Sequence, residues 1–346
     1  MQEKKQKALL PDRHPTKDFF ISDVFDNLPF KDDVASMVNP VFSLSKNKDL
    51  RNVEYNSGDL QLLIKPTSDG LPTIFDKDVL LYCGSLLMNE INKGNIPPKT
   101  LRISCHDLLV STNRQTNGQG YSLLKKALDR LKGVSIKTNI KTNKREFTSG
   151  FGLIDSFNIV ESSRYKDRMI RLEITLSDWF YNSILGKEVL TINRDYFRLG
   201  KPTERRLYEI ARKHCGNQSS WKIGLGLLKQ KTGSTGSLVK FRYLIRKLVE
   251  SNHLPDYNIK LQENDVVVFE NKNTAHTSIL DLPFIKPETI LRGRDIIAET
   301  SLDYDDLRGQ FTEQLQSGFS PESVDGAFIN FLKKKVLDWK KVSNSY

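Results

Sequence analysis

Apolar residues at three- and four-residue spacing, Val79, Leu80, Cys83, Leu86, Leu87 and Ile91, predict an amphipathic helix from Asp76 to Asn92. Ser104, followed by His106-Asp-Leu-Leu-Val, predicts a short helix with Ser104 as its N-cap. After a polar stretch ending at Gly120, residues Tyr121 to Lys132 place Tyr121, Leu123, Leu124, Ala127, Leu128 and Leu131 on one side of a helix. Past Gly133 the pattern changes period: Val134, Ile136 and Thr138 alternate with polar residues as in a strand, and Phe147 to Ile159 is expected to pair with it.

The same order then returns. Pro202 opens a helix that runs to His214 and is closed by Gly216, Gly224 to Lys231 forms a short helix, and Ser237 to Asn252 forms a longer one stopped by Pro255. Two strand-like runs, Asn258 to Gln262 and Val266 to Glu270, flank the turn-forming Glu263-Asn-Asp265. Helix, short helix, helix, hairpin is the plan of a winged helix, a helix-turn-helix with a β-hairpin wing, here in tandem. Between the copies, Met169 to Leu176 alternates as a strand, and Ser177 to Leu185 reads as a short helix.

The expected fold is therefore α+β, with two winged-helix domains and a helical C-terminal extension. Residues 1–18, polar and basic with Pro11 and Pro15, read as a flexible arm. The first domain is placed at 19–165, the second at 166–270, a linker at 271–300 and a helical region of unassigned role at 301–346. Helices are expected there from Asp303 to Ser317 and, capped by Ser320, from Pro321 to Lys341.

Charge gives this framework a direction. The chain of 346 residues has a formal net charge of +11, and Lys187 to Glu250 alone holds fifteen Lys/Arg against five Asp/Glu. Cations gathered in one segment suit a row of phosphates and the release of their counterions. From residue 271 onward there are ten Lys/Arg and eleven Asp/Glu, so the tail adds nothing to the surplus.

On the helix Ser237 to Asn252, Leu238, Phe241, Leu244, Ile245, Leu248 and Val249 form the inward arc, while Lys240, Arg242, Tyr243, Arg246 and Lys247 face outward. This is the division a recognition helix needs, with Arg242 and Arg246, one turn apart, as readers of guanine edges. Ser234, Thr235 and Ser237 at its N-terminus suit either a bound phosphate or the helix cap. Lys125, Lys126 and Arg130 on the earlier helix suit phosphate contact or a dimer interface. Arg205 and Arg206 are candidate phosphate clamps, with Glu204 and Glu209 as competing internal partners.

Little points to catalysis. Neither Gly118-Gln-Gly120 nor Gly224-Leu-Gly226 makes a nucleotide-binding loop, and the five histidines never approach His-x-His spacing. Cys83, Cys105 and Cys215 are too far apart for a zinc or disulfide framework. No metal, cofactor or enzymatic activity is expected, and the absence of a long apolar run argues for a soluble intracellular protein.

Val189-Leu-Thr-Ile-Asn-Arg-Asp-Tyr-Phe-Arg-Leu, Glu204 to Gly216, Phe241-Arg-Tyr-Leu and His253-Leu-Pro-Asp-Tyr257 resemble the replication initiator protein A family of proteobacterial plasmids, as does Thr73 to Cys83. The resemblance covers about residues 19 to 270. It implies a cytoplasmic, plasmid-encoded initiator that binds repeated double-stranded sites at an origin and assembles host replication proteins there, the host initiator and helicase. It also implies base readout by the second domain, on Lys240, Arg242, Tyr243, Arg246 and Lys247, with backbone contact or dimerisation by the first. A homodimer repressing its own gene is compatible with this. The competing readings are a winged-helix repressor without an initiation role and a DNA-nicking enzyme.

Overall fold

Ser104 ends one element and starts the next: its hydroxyl accepts the Asp107 backbone N–H at 3.2 Å, turning the chain from strand β4 (Thr100–Ser104) into helix α3 (Cys105–Ser111). The computed structural model describes residues 9–15, 29–57, 60–143, 145, 150–161, 169–273, 285, 287–297, 300, 302, 304–316, 321 and 323–343. They belong to two compact units, Met1–Lys272 and Asn273–Tyr346.

The first unit opens with β1 (Phe30–Asp33), α1 (Val34–Val38), β2 (Val53–Ser57), β3 (Leu60–Lys65) and α2 (Lys77–Asn92). After β4 and α3 come α4 (Gly118–Gly133), β5 (Ser135–Thr138), β6 (Ile154–Glu161), β7 (Met169–Leu176), α5 (Asp178–Leu185), β8 (Val189–Ile192) and a 3-10 helix, Arg194–Arg198. The rest is α6 (Pro202–His214), β9 (Ser220–Gly224), α7 (Leu225–Thr232), α8 (Leu238–Ser251), β10 (Tyr257–Leu261) and β11 (Val266–Asn271).

One topology occurs twice. A leading helix (α2, α6) precedes a strand (β4, β9), a short helix (α3, α7), a longer helix (α4, α8) and a strand pair (β6–β7, β10–β11). In both antiparallel sheets the last strand lies in the middle, in the orders β4-β7-β6 and β10-β11-β9. Alternation sets the buried face: Leu172, Ile174 and Leu176 of β7 and Val267 and Phe269 of β11 point into the core.

The pairing expected around β5 is corrected. β5 runs beside β3, with Ile136 opposite Ile64 and Thr138 opposite Leu62, and among the described residues it bridges the later segment at Ile136–Phe151 alone. Its alternating apolar face is satisfied by residues more than seventy positions earlier. The strand Met169–Leu176, expected between the copies, is the central strand of the first copy's sheet, so a boundary at 165/166 would cut through the β6–β7 pair.

The two copies share one hydrophobic core. Leu108, Leu124 and Leu128 of the first and Phe241, Ile245 and Leu248 of the second belong to the same cluster, with Trp179 and Phe180 of α5. Each such side chain contributes about 1.5–3 kcal/mol of burial. The arm is also corrected, because residues 9–15 lie pinned against this unit. The Leu10 N–H donates to the Arg198 carbonyl and Arg198 Nε donates back to the Leu10 carbonyl, both at 2.8 Å. Asn113 accepts the Arg13 N–H at 2.8 Å and donates to the Pro11 carbonyl at 3.2 Å.

The C-terminal unit holds α9 (Pro287–Ile297), α10 (Tyr304–Gln316) and α11 (Val324–Ser343) around Ile285, Ile297, Leu307, Phe311, Phe328 and Leu332. Helix α9 lies in the stretch expected to be a linker. Ser323 accepts the Gly326 N–H at the start of α11, and the expected cap Ser320 lies outside the described residues. At Gly293 of α9 a Cβ would stand 2.9 Å from Leu332 Cδ1 and 3.0 Å from Tyr304 Cε2, so glycine permits the close approach.

Candidate nucleic-acid interface

The turn between α7 and α8 is fixed by Gly233, whose backbone is left-handed (φ 72°) and whose Cβ position lies 2.8 Å from Pro40 Cβ. Four residues later Ser237 caps α8, its hydroxyl accepting the Lys240 N–H at 3.3 Å. Of the three residues expected there, Ser237 is thus the cap, while Thr235 is exposed and Ser234 half-buried in the turn before it.

Phe241, Ile245 and Leu248 seat α8 on the core, and Lys240, Tyr243, Arg246 and Lys247 are exposed as expected. The buried face is narrower than the sequence implies, since Leu238 and Leu244 are 39% and 41% exposed. The far end of α8 is stitched to the hairpin: Asn252, in a left-handed backbone (φ 40°), accepts the Ile259 N–H at 3.1 Å and donates to Asn258 Oδ1 at 2.9 Å.

Arg242 departs from its expected place in the groove-facing set. Its Nε donates to Asp265 Oδ1 at 2.8 Å and its Nη2 to the other carboxylate oxygen, joining mid-helix to the β10–β11 turn. That hydrogen-bonded pairing raises the Arg242 pKa and lowers that of Asp265. Lys247 pairs with Glu250 at 2.9 Å and its Nζ lies 5.7 Å from the Tyr243 ring centroid. Lys240 and Arg246 form no ion pair among the described residues.

On α4, Lys125 and Lys126 are exposed, and so is Leu123, which the helical spacing places with the apolar side. Arg130 is held differently from its neighbours. Its fork grips both oxygens of Asp76 at 2.8 Å, bracing α4 against the start of α2, and this pairing raises its pKa.

Arg205 and Arg206 are not phosphate clamps: both are buried in the joint between the copies. Arg205 donates to Asp78 at 2.6 Å and to the carbonyls of Leu199 and Phe197, and its guanidinium carbon lies 4.5 Å from the Phe75 ring centroid. Arg206 pairs with Glu209 at 3.0 Å and caps the Ser36 and Met37 carbonyls. The intrahelical partner of Glu209 is therefore Arg206 rather than Arg205. Glu209 is also 3.0 Å from Lys77, which binds Asp32 at 2.8 Å. Burial opposes ionisation of Glu209, but Lys77 and Arg206 outweigh it and hold its carboxyl below the usual range. Sequence displays both cations and the Glu209 beside Arg206, but not the Asp78 carboxylate 127 positions away that neutralises Arg205.

Two features of the site were not singled out from sequence. Val239 is 70% exposed on the outer face of α8, although its spacing from Tyr243 and Arg246 was a usable signal. Asp265 read only as a turn former, and its hold on Arg242 required the fold. Among the described residues no group of His, Cys, Asp or Glu could hold a metal ion, and no helix is long and apolar enough to cross a membrane. Cys83, Cys105 and Cys215 are free and buried, and burial pushes the Cys83 thiol up to about 12.

Residues 31–259 match the family model described as replication initiator protein A. A putative replication protein of Wigglesworthia glossinidia brevipalpis is 42% identical over 270 residues, covering 77% of this chain and 98% of the relative. Two crystal structures of RctB domains 2 and 3 align with TM-scores of 0.45 and 0.46 at 15% and 14% identity, covering 68% and 69% of this chain and 95% and 97% of theirs. With a family model matching about two thirds of the chain and a relative matched almost end to end, the chain belongs to the replication initiator protein A family.

Proposed function

We propose that the protein is a plasmid replication initiator that binds repeated duplex sites at an origin, with each copy acting as a winged helix and α8 docked in the major groove. The observation that carries this reading is the outer face of α8, where Lys240, Arg246 and Lys247 stand exposed on a helix seated by Phe241, Ile245 and Leu248. Arg246 is the reader of a guanine edge, with Lys240 and Lys247 beside it. Arg242, bound to Asp265, positions the hairpin turn against the helix. Ser234 and Thr235 approach a phosphate near the α8 N-terminus.

In the first copy, Lys125 and Lys126 meet the phosphate backbone. The protein works by binding rather than by catalysis, and it brings the host initiator and helicase to the origin in the bacterial cytoplasm. A homodimer represses its own gene.

The test selects a duplex from a randomised pool with the full-length protein. Arg246→Ala should lose about 1–3 kcal/mol on the selected sequence and relax the preference at one position. Lys125→Ala and Lys126→Ala should weaken all sequences alike and each lower the salt slope by about one. Undiminished specific binding by Arg246→Ala would remove the groove assignment. Establishment of a circle carrying only this gene and its flanking DNA as origin tests initiation; tight binding without establishment would favour a repressor.

A further inference from the structure

The middle of the α8 outer face is apolar. At about 100° per residue, Val239 and Tyr243 share one stripe, with Arg246 to one side and Lys247 and Lys240 to the other. Their exposures, 70% and 59%, are the largest among the apolar side chains of that helix. A valine so placed makes no hydrogen bond with water and adds nothing to the core. Its isopropyl group has one matching feature on the major-groove edges of DNA, the thymine 5-methyl group. Facing a cytosine or adenine amino group it would strip a donor of water and return no acceptor.

We infer that Val239 and Tyr243 are specificity-determining residues that read thymine methyl groups. This rests on the groove docking proposed above. Positions 239 and 243 are one turn apart, about 6 Å along the helix axis at about 1.5 Å per residue. Base pairs rise by about 3.4 Å, so the recognised sequence carries two thymines roughly two base pairs apart, beside the base read by Arg246. The flanking cations favour DNA as the occupant, because the core of a protein interface is depleted in lysine. Lys247 Nζ lies 5.7 Å from the Tyr243 ring centroid, within reach of a cation–π contact, while the Tyr243 side chain stays 59% exposed.

The experiment uses the selected duplex with each thymine replaced in turn by deoxyuridine, which deletes the methyl group and nothing else. Full-length protein should lose about fourfold in affinity at two positions about two base pairs apart, the equivalent of one buried carbon. Val239→Ala should bind thymine and deoxyuridine alike at one of them, Tyr243→Ala at the other, and Arg246→Ala should keep both methyl effects. Thermal unfolding of the two exposed-site variants should match that of the parent.

The inference falls if the parent protein is indifferent to every methyl group. It falls equally if both variants keep the parent's discrimination, or if Val239→Ala changes the oligomeric state and leaves methyl sensitivity unaltered. A specificity loss in Arg246→Ala with no methyl effect anywhere would leave the groove docking standing and remove this inference alone. A pool that yields no enriched sequence would remove both.

Discussion

Arg205 Nη1 on α6 lies 2.6 Å from Asp78 Oδ1 on α2, with both side chains at most 4% exposed, so the leading helices of the two copies meet through a buried ion pair. Asp78 also receives Arg114 at 3.0 Å, making one carboxylate the anchor for two guanidinium groups. Replacing it leaves two cations without their counterion in a dry joint. Asp78→Ala should cost roughly 3–5 kcal/mol in urea unfolding, and Arg205→Ala a similar amount. Corrected for the folded fraction, the affinity of Arg205→Ala for random duplex DNA should equal that of the parent. A lowered salt slope in that variant would return Arg205 to the phosphate-contacting set.

His214 gives stability a pH dependence of definite sign. Burial, and then the nearby Lys231, Lys213 and Arg206, lower its pKa from 6.5 to about 4, and its ring stacks on Trp221 at 4.7 Å. The unfolded chain therefore takes up a proton near pH 6.5 that the folded chain refuses until about pH 4. This contribution is complete above pH 6.5 and is lost as the pH falls toward 4. Because the ring is only half-buried, the slope should fall below the roughly 1.36 kcal/mol per pH unit of a fully shielded group. His214→Phe, which keeps an aromatic ring against Trp221, should flatten unfolding curves measured across that window; an unchanged slope would assign the effect to another group.

Features set by local chemistry were legible in the chain. The Ser104 cap, the inward Phe241, Ile245 and Leu248, the outward Lys240, Arg246 and Lys247, and the second hairpin around Glu263-Asn-Asp265 all follow from short-range periodicity and turn propensity. What escaped depends on distant partners. Strand Ser135–Thr138 has an alternating face that many strands would satisfy, and only the fold selects β3. Arg205 and Arg206 advertise charge, but whether they face solvent or, as here, Asp78 and the Ser36 and Met37 carbonyls is a tertiary fact. Leu238 and Leu244 satisfy the helical period and yet remain 39% and 41% exposed.

The helical C-terminal unit has its own core, sharing no residue with that of the first unit. Phe328 is fully buried there against Phe311, with ring centroids 5.2 Å apart. Phe328→Ala should remove about 3–5 kcal/mol from that unit. Calorimetry should then show a lowered transition for the C-terminal helices and an unchanged one for the first unit, and proteolysis should cut first after Lys272. An equal fall in both transitions would show that the units unfold together.

The Arg242–Asp265 pair separates positioning from reading. If Arg242 serves to hold the hairpin turn, its charge is already neutralised and it contributes no phosphate contact, so Arg242→Ala should leave the salt slope on random duplex DNA unchanged. Asp265→Asn acts in the opposite sense, because it removes a carboxylate beside the exposed cations of α8 and releases the guanidinium fork. That variant should bind random duplex more tightly, with a salt slope steeper by about one, and should discriminate less between selected and random sequences. The two effects distinguish the roles: a guanine-reading Arg242 would make Arg242→Ala lose preference at a single base pair, whereas a positioning Arg242 makes its loss and the loss of Asp265 degrade the whole site together. Binding of single-base variants of the selected duplex by all three proteins decides between them.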